Sequence, residues 1–259
     1  MQNPQKVRRW KHLWLPLLMV LAIMYFPGSA AGQLTAPYAN FTSVALNGEA
    51  PKKSNYTNTK TFYAAASAVY DSLHLSDLGL SKKVFDMAVK GMSKLIKGNQ
   101  IKDNILSIID FSQPSINKRL YVIDLDNFEL LFNTWVAHGA RSGKNEATFF
   151  SNKMSSWKSS LGFYVTGETY KGSNGYSLKL KGVEKGINDY ALRRGIVMHG
   201  ADYVSEDYIA SQGYIGRSHG CPAVASDICQ PLIDMVKDGT CLFIYHPSAT
   251  YRTKSRLVK

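Results

Sequence analysis

The chain has 259 residues, of which 45% are hydrophobic and 12% aromatic, so it can form a sizeable core and is not a disordered chain. Its formal net charge of +12 favours anionic partners such as nucleic acid, anionic lipid or an anionic cell-wall polymer. Nucleic acid has no support, because no recognition motif and no array of basic and aromatic residues is present.

The first 31 residues have the pattern of a secretory signal peptide. Four basic residues precede a 14-residue apolar stretch from Leu13 to Phe26, and small residues follow up to Ala31. This stretch is short for a transmembrane helix, which needs about 20 residues, so an uncleaved membrane anchor is the alternative. We therefore predict a signal peptide over 1–31, which directs export to the periplasm or cell envelope and allows transient membrane association.

Export also bears on the partner that the charge favours. Residues 1–31 contain four of the 31 basic residues and none of the 19 acidic ones, so the rest of the chain carries a net charge of +8. The positive charge of an exported protein fits an anionic cell-wall surface as its partner. Export is a further argument against nucleic acid as the partner.

Two helices are expected after the signal peptide. A polar, turn-rich segment without periodicity over 32–59 is predicted to be a linker. Apolar residues at helical spacing then predict one helix over 61–74 and a second helix between Ser81 and Gly98. We expect these helices to form a helical segment over residues 60–117 that packs on the domain that follows.

From Leu120 onward the hydrophobic pattern changes to the alternation that is typical of strands. Extended segments are expected as a hairpin over 120–136 and as strands at 162–166, 176–181, 196–199 and 241–245. A further helix is expected within 226–237, although the interior Pro231 leaves its start undefined because proline removes a helical hydrogen bond.

The strands are joined by turns rather than by crossover helices, which favours a curved or barrel-like sheet over a doubly wound one. We therefore predict an α+β fold with a mainly β domain over 118–248, preceded by the helical segment. Residues 249–259 are expected to form a basic tail.

The sequence Ser218-His219-Gly220-Cys221 carries the clearest chemical pattern in the chain. A thiol becomes a good nucleophile when a neighbouring group removes its proton, and imidazole is the usual group. A glycine beside it lets backbone N–H groups approach an acyl oxygen, as an oxyanion hole requires. Cys221 is therefore interpreted as the nucleophile of a cysteine acyl-transfer enzyme, and a buried structural cysteine is the alternative.

Two histidines are candidates for the base that activates this thiol. His199 ends a short apolar run 22 residues before Cys221, and its ring is expected to project from a strand end toward the thiol. His219 is the rival base and otherwise lines the acyl site. Ser218 and Arg217 are expected to hold the loop or a substrate carboxylate.

The remaining chemical residues have structural interpretations. Cys229 and Cys241 either form a disulfide or are separately buried. His138 precedes a glycine as His199 does, but no cysteine follows it, so it is structural or lies at the edge of the cleft. No spacing typical of a metal site and no phosphate-binding loop is present, so neither a metal nor a cofactor is predicted.

The segment from His199 through Cys221 resembles the signature of the L,D-transpeptidases (YkuD-like domain), a His-Gly followed by Ser/Thr-His-Gly-Cys. It is most similar to the murein L,D-transpeptidase catalytic-domain branch, and the resemblance covers roughly 60–248. The other matching stretches are 118–125, 136–139, 175–180 and 220–223.

This resemblance implies a β-rich catalytic fold that acts on peptidoglycan stem peptides without a cofactor. Cys221 would attack the carbonyl before a terminal D-amino acid, with His199 as base, and pass the acyl group to an amine of another stem. Backbone N–H groups around Gly220 and Cys221 would stabilise the oxyanion, and carbapenems would acylate the same thiol.

The chain differs from the main family at two places near the motif. Its gap between His199 and Ser218 is longer, and Pro222-Ala223 follows the cysteine where the main family has an aliphatic residue and then Asn or Arg. These differences leave open a hydrolase that transfers the acyl group to water, either an L,D-carboxypeptidase or an amidase. A non-catalytic wall-binding protein is the third alternative.

Overall fold

The computed structural model describes residues 59–259. The predicted signal peptide over 1–31 and the predicted linker as far as residue 58 lie outside these residues. Within the described part, no helix is long and apolar enough to cross a membrane.

Helices and strands alternate irregularly along the described residues. In chain order they are α1 (Thr59–Ser72), α2 (Lys82–Lys97), β1 (Ile105–Asp110), β2 (Leu120–Asp124), β3 (Glu129–Thr134), β4 (Gly162–Gly172), β5 (Gly175–Gly182), β6 (Val197–Gly200), α3 (Glu206–Gln212), β7 (Ala223–Val224), α4 (Ser226–Val236), β8 (Cys241–Tyr245) and α5 (Ala249–Lys254).

The strands form one mixed sheet in the order β3-β2-β1-β8-β4-β5-β6-β7. The pairs β1–β8 and β6–β7 are parallel, and the other neighbouring pairs are antiparallel. The chain that leaves β3 crosses to the opposite edge, where the Ala137 N–H donates to the carbonyl of Ala223 at 2.8 Å. A second bridge joins Gly139 to Ser218. The sheet is therefore curved and nearly closed, which confirms the predicted α+β, barrel-like fold class.

The helical segment packs on the sheet through α2. Ser81 caps this helix by accepting a hydrogen bond from the Val84 N–H, and the helix ends at Gly98, as the sequence predicted. Gly91 faces β4 so closely that a Cβ atom there would lie 2.0 Å from Cζ of Phe163. The absence of a side chain at position 91 lets the helix approach the sheet closely.

The expectation of a helical segment over 60–117 missed the strand β1. This strand lies between β2 and β8, so the sheet begins before residue 118, where the mainly β domain was predicted to start. All but the first of its residues are buried. Its polar residues Ser107 and Asp110 stand three positions apart among apolar ones, so the strand lacks the alternation that would have revealed it.

The C-terminal segment 249–259 is anchored by α5 and is not a free basic tail. The buried side chains of Tyr251 and Ser255 both donate hydrogen bonds to the carboxylate of Glu184, the first at 3.1 Å. The backbone N–H of Phe163 donates to the same carboxylate at 2.8 Å. Burial raises the pKa of Glu184, and these three donors offset part of that effect.

We expect Ser255→Ala to lower the free energy of unfolding by about 1–3 kcal/mol, because the buried carboxylate of Glu184 loses a donor. Thr253→Ala is the matched control. It removes an exposed hydroxyl that donates to the Thr250 carbonyl within α5, and it should change stability by less than about 0.5 kcal/mol. Urea denaturation measures both variants, and equal losses would contradict the anchoring role.

Candidate active site

Cys221 lies on the segment that leads into β7, with only 8% of its surface exposed. Its thiol donates to the carbonyl of Gly195, with a distance of 3.7 Å from Sγ to oxygen. Burial raises the pKa of the thiol, while a hydrogen bond from the Val197 backbone and the charge of Arg194 lower it in part. The thiol therefore keeps its proton at neutral pH, and it would act as a nucleophile only if a base removed that proton.

His199 lies on the strand next to the cysteine segment. The parallel pairing of β6 with β7 places His199 opposite Ala223, two positions after Cys221. The imidazole is buried, and its Nδ1 lies 2.9 Å from the carbonyl oxygen of Gly200. A carbonyl can only accept, so in the neutral ring Nδ1 carries the proton and Nε2 has the free lone pair. Among the hydrogen bonds of residues 59–259, none joins the imidazole directly to the thiol.

Gly220 and Ser218 define the turn before Cys221. The φ angle of Gly220 is +123°, and a Cβ atom there would lie 2.8 Å from the carbonyl oxygen of Lys158. The Ser218 hydroxyl donates to the carbonyl of Cys221 at 2.6 Å and accepts from the Gly220 N–H at 3.0 Å. Ser218 therefore holds the loop, and the Gly220 N–H that was predicted to face an oxyanion is engaged within the turn.

His219 has a different environment from His199. Its exposed ring stacks on the indole of Trp157, with 4.2 Å between the ring centroids and 9° between the planes. The guanidinium of Arg141 also lies over this indole, 5.1 Å from the centroid. His219 is thus part of an aromatic surface stack next to the cysteine.

Arg217 is half-buried beside the same turn. Its Nη1 donates to the carbonyl of Gly143 at 3.2 Å, and its guanidinium lies 5.3 Å from the ring centroid of Tyr214. These contacts fit the loop-holding role expected of it. The ammonium of Lys144 lies over the same ring, so positive charge is concentrated at this side of the motif.

A family model described as the L,D-transpeptidase catalytic domain matches residues 76–245, which is well over half of the chain. The chain belongs to the L,D-transpeptidase catalytic-domain family. The family predicted from the cysteine motif is therefore confirmed. No curated protein matches the sequence.

Several solved structures are similar to this L,D-transpeptidase domain. An L,D-transpeptidase from Mycobacterium smegmatis has 15% identity and a TM-score of 0.35 over 56% of this chain and 59% of its own. An L,D-transpeptidase from Stackebrandtia nassauensis has 14% identity and a TM-score of 0.34, covering 73% and 80%. A helical cell shape determining protein from Campylobacter jejuni has 13% identity and a TM-score of 0.38, covering 69% and 62%. The chain thus spans about three-fifths of the length of the mycobacterial protein.

The L,D-transpeptidase domain brings two residues to the thiol that the motif did not reveal. Arg194 precedes β6 and interacts electrostatically with Cys221. Tyr203 follows β6, and its side chain packs directly against Gly216. A Cβ atom on Gly216 would lie 2.5 Å from the side chain of Tyr203. Burial, together with the charge of Cys221, raises the pKa of Tyr203 to about 12. Neither residue belongs to the motif, and chain folding alone makes them neighbours of the thiol.

His138 is a structural residue and does not lie at a cleft edge. It is fully buried, and its Nδ1 lies 2.8 Å from Nη2 of the buried Arg119. Burial and the charge of Arg119 lower the pKa of His138 to about 3, so the ring is neutral. Its backbone carbonyl accepts from the Ser218 N–H at 3.0 Å, which links this pair to the nucleophile turn.

Cys229 and Cys241 are both free and buried, so the disulfide alternative is not realised. Cys229 lies on α4 and Cys241 on β8. Burial raises the pKa of both thiols, which disfavours their thiolate forms. Within residues 59–259, no cluster of three or more His, Cys, Asp or Glu side chains is arranged to hold a metal ion.

We expect Gly220→Ala to lower the free energy of unfolding by about 3 kcal/mol, because the new methyl group meets main chain. Gly213→Ala is the control, since Gly213 also has a positive φ of +77° but has open space around it. This control should lower the free energy of unfolding by about 1 kcal/mol, because only backbone strain is added. Chemical denaturation compares the two, and similar losses would mean that the contact with Lys158 is unimportant.

Proposed function

We propose that this protein is an exported cysteine acyltransferase that performs L,D-transpeptidation on peptidoglycan stem peptides. Membership of the L,D-transpeptidase catalytic-domain family supports the reaction class. The observation that carries the assignment to these residues is the β6–β7 register, which brings a buried imidazole and a buried thiol onto adjacent segments.

In the proposed first step, Nε2 of His199 takes the proton of the Cys221 thiol. The S–H bond must turn from the Gly195 carbonyl toward the imidazole, which the Gly200 carbonyl holds in the required tautomer. Sγ then attacks the carbonyl that precedes the terminal D-amino acid. The imidazolium returns its proton to the leaving amine, the C–N bond breaks, and a thioester remains on Cys221.

In the second step, an amine of another stem peptide attacks the thioester. His199 removes a proton from this amine, the C–S bond breaks, and the sulfur leaves as a thiolate that regains the proton. Because the Gly220 N–H is held by Ser218, we assign oxyanion stabilisation to the neighbouring Cys221 N–H. Hydrolysis would follow the same route with water as the acceptor.

The proposed compartment and substrate surface follow from charge and targeting. Residues 1–31 have the pattern of an export signal, and the rest of the chain carries a net charge of +8. A basic protein in the cell envelope is attracted to anionic wall material. Arg141, Lys144 and Arg217 add positive charge around the motif, which suits a substrate rich in carboxylates.

Incubation with a disaccharide-tetrapeptide tests the reaction. We expect a cross-linked dimer or exchange of the terminal D-amino acid, detected by mass spectrometry, and a loss of about 10³-fold or more in Cys221→Ala. Cys241→Ala is the matched control and should keep the activity, because that thiol lies on β8, which β4 and β5 separate from β6. Release of the D-amino acid without dimer or exchange would replace transfer by carboxypeptidase activity, and no turnover at all would refute the proposal.

Carbapenem acylation at different pH values distinguishes the two candidate bases. We expect His199→Ala to slow acylation at pH 7 by about 10²-fold or more. The residual rate should rise with pH to an inflection above the ordinary thiol value of about 8.5, since burial raises the pKa of Cys221.

His219→Ala should slow acylation only a few-fold, because its ring stacks on Trp157 at the surface. Mass spectrometry of the adduct gives both rates. A large loss in His219→Ala with a near-normal rate in His199→Ala would transfer the role of base to His219.

A further inference from the structure

The guanidinium of Arg194 organises a complete loop next to the nucleophile. Its Nη1 donates to the carbonyl of Ser151 at 2.8 Å and to Oγ of Ser160 at 2.5 Å. Its Nη2 donates to Oγ of Ser156 at 3.1 Å and to the carbonyl of Lys158 at 2.6 Å. All four acceptors lie in residues 151–160, so one side chain holds both ends and the middle of this segment.

The loop and the guanidinium together form the wall against which the nucleophile turn packs. A Cβ atom on Gly220 would lie 3.2 Å from Nη2 of Arg194 and 2.8 Å from the Lys158 carbonyl oxygen that Nη2 holds. The same loop carries Trp157, which stacks on His219. Displacing Arg194 would therefore release the support on one side of the residue before Cys221.

The four acceptors of Arg194 are two carbonyls and two hydroxyls, none of which carries a charge. A half-buried guanidinium without a carboxylate among its acceptors is costly to bury, so its charge is available to stabilise a nearby anion. Burial lowers the pKa of Arg194, while the charges of Tyr164 and Cys221 raise it. Of these two groups, Cys221 is the one that must become an anion during the proposed reaction.

The other titratable groups around the Gly220 turn do not supply this charge. His199 acts as the proposed base, and Tyr203 is neutral at physiological pH because its pKa is raised to about 12. The ammonium of Lys158 lies over the ring of Phe149, 5.3 Å from its centroid. The guanidinium of Arg217 faces Gly143 and Tyr214.

We propose that Arg194 is the positioning residue for the nucleophile, which clamps the 151–160 loop against the Gly220 turn and stabilises the Cys221 thiolate by its charge. The inference depends on the proposed function only in taking Cys221 as the reactive thiol. It adds a residue outside the cysteine motif on which reactivity depends.

Alkylation of Cys221 by iodoacetamide across a pH series, followed by peptide mass spectrometry of the full chain, tests this role without any wall substrate. We expect Arg194→Gln to lower the rate of Cys221 labelling at pH 7 about tenfold. The inflection of the labelling rate against pH should rise by roughly one pH unit. Arg194→Lys keeps the positive charge but loses the planar guanidinium that donates to several acceptors at once. The pH inflection of labelling should therefore remain near the wild-type value, while the thermal stability falls. Arg193→Gln, at an exposed neighbouring position, is the matched control. It should leave the labelling rate and its pH inflection unchanged.

An unchanged inflection in a folded Arg194→Gln protein would overturn the proposal and reduce Arg194 to a loop anchor. If this variant does not fold, Ser156→Ala replaces it, since it removes one acceptor of Nη2 and leaves the charge in place. It should lower labelling at pH 7 two- to threefold relative to Ser155→Ala, and no difference between the two would also overturn the proposal. Failure of wall-peptide turnover with a normal Arg194 effect on labelling would instead refute the proposed function alone.

Discussion

The geometry of the candidate site depends on Ala223, whose backbone pairs with a different segment of the chain on each side. It lies opposite His199 in the parallel pairing of β6 with β7, and it also bridges to Ala137 from the chain that leaves β3. The second bridge, between Gly139 and Ser218, holds the start of the same segment. Paired backbone groups therefore hold the segments that carry the imidazole and the thiol next to each other.

A second layer of interactions supports this backbone arrangement from within the core. The buried Arg119 contacts the ring of Phe111 and hydrogen-bonds to His138, whose carbonyl holds the Ser218 N–H. Burial lowers the pKa of Arg119 to about 9, with a small opposing contribution from Asp110. A buried cation of this kind is tolerated when carbonyls and a neutral imidazole satisfy its donors. Burial and the charge of Arg119 keep the imidazole of His138 neutral.

Much of this arrangement could be predicted where the sequence has a local signal. The period of α2 and its caps at Ser81 and Gly98 marked the helix. The spacing of His199 and Cys221 predicted that they lie close together, and the structure places them on adjacent segments. The strand β1 was missed because its polar residues do not alternate with the apolar ones, and α3 because none of its residues is buried. Arg194 was missed because its partners lie more than thirty residues away in sequence and come together only in the folded chain.

The segment between His199 and Ser218 contains the short helix α3. Ala201, Val204 and Ile215 lie on either side of the helix and form a small apolar cluster with Ala223, and Ile209 of the helix packs against this cluster. The helix is thus tied to Ala223, the residue that pairs with His199. A fluorophore attached to an exposed residue of this helix would therefore report on movements of the segment that connects His199 to Ser218.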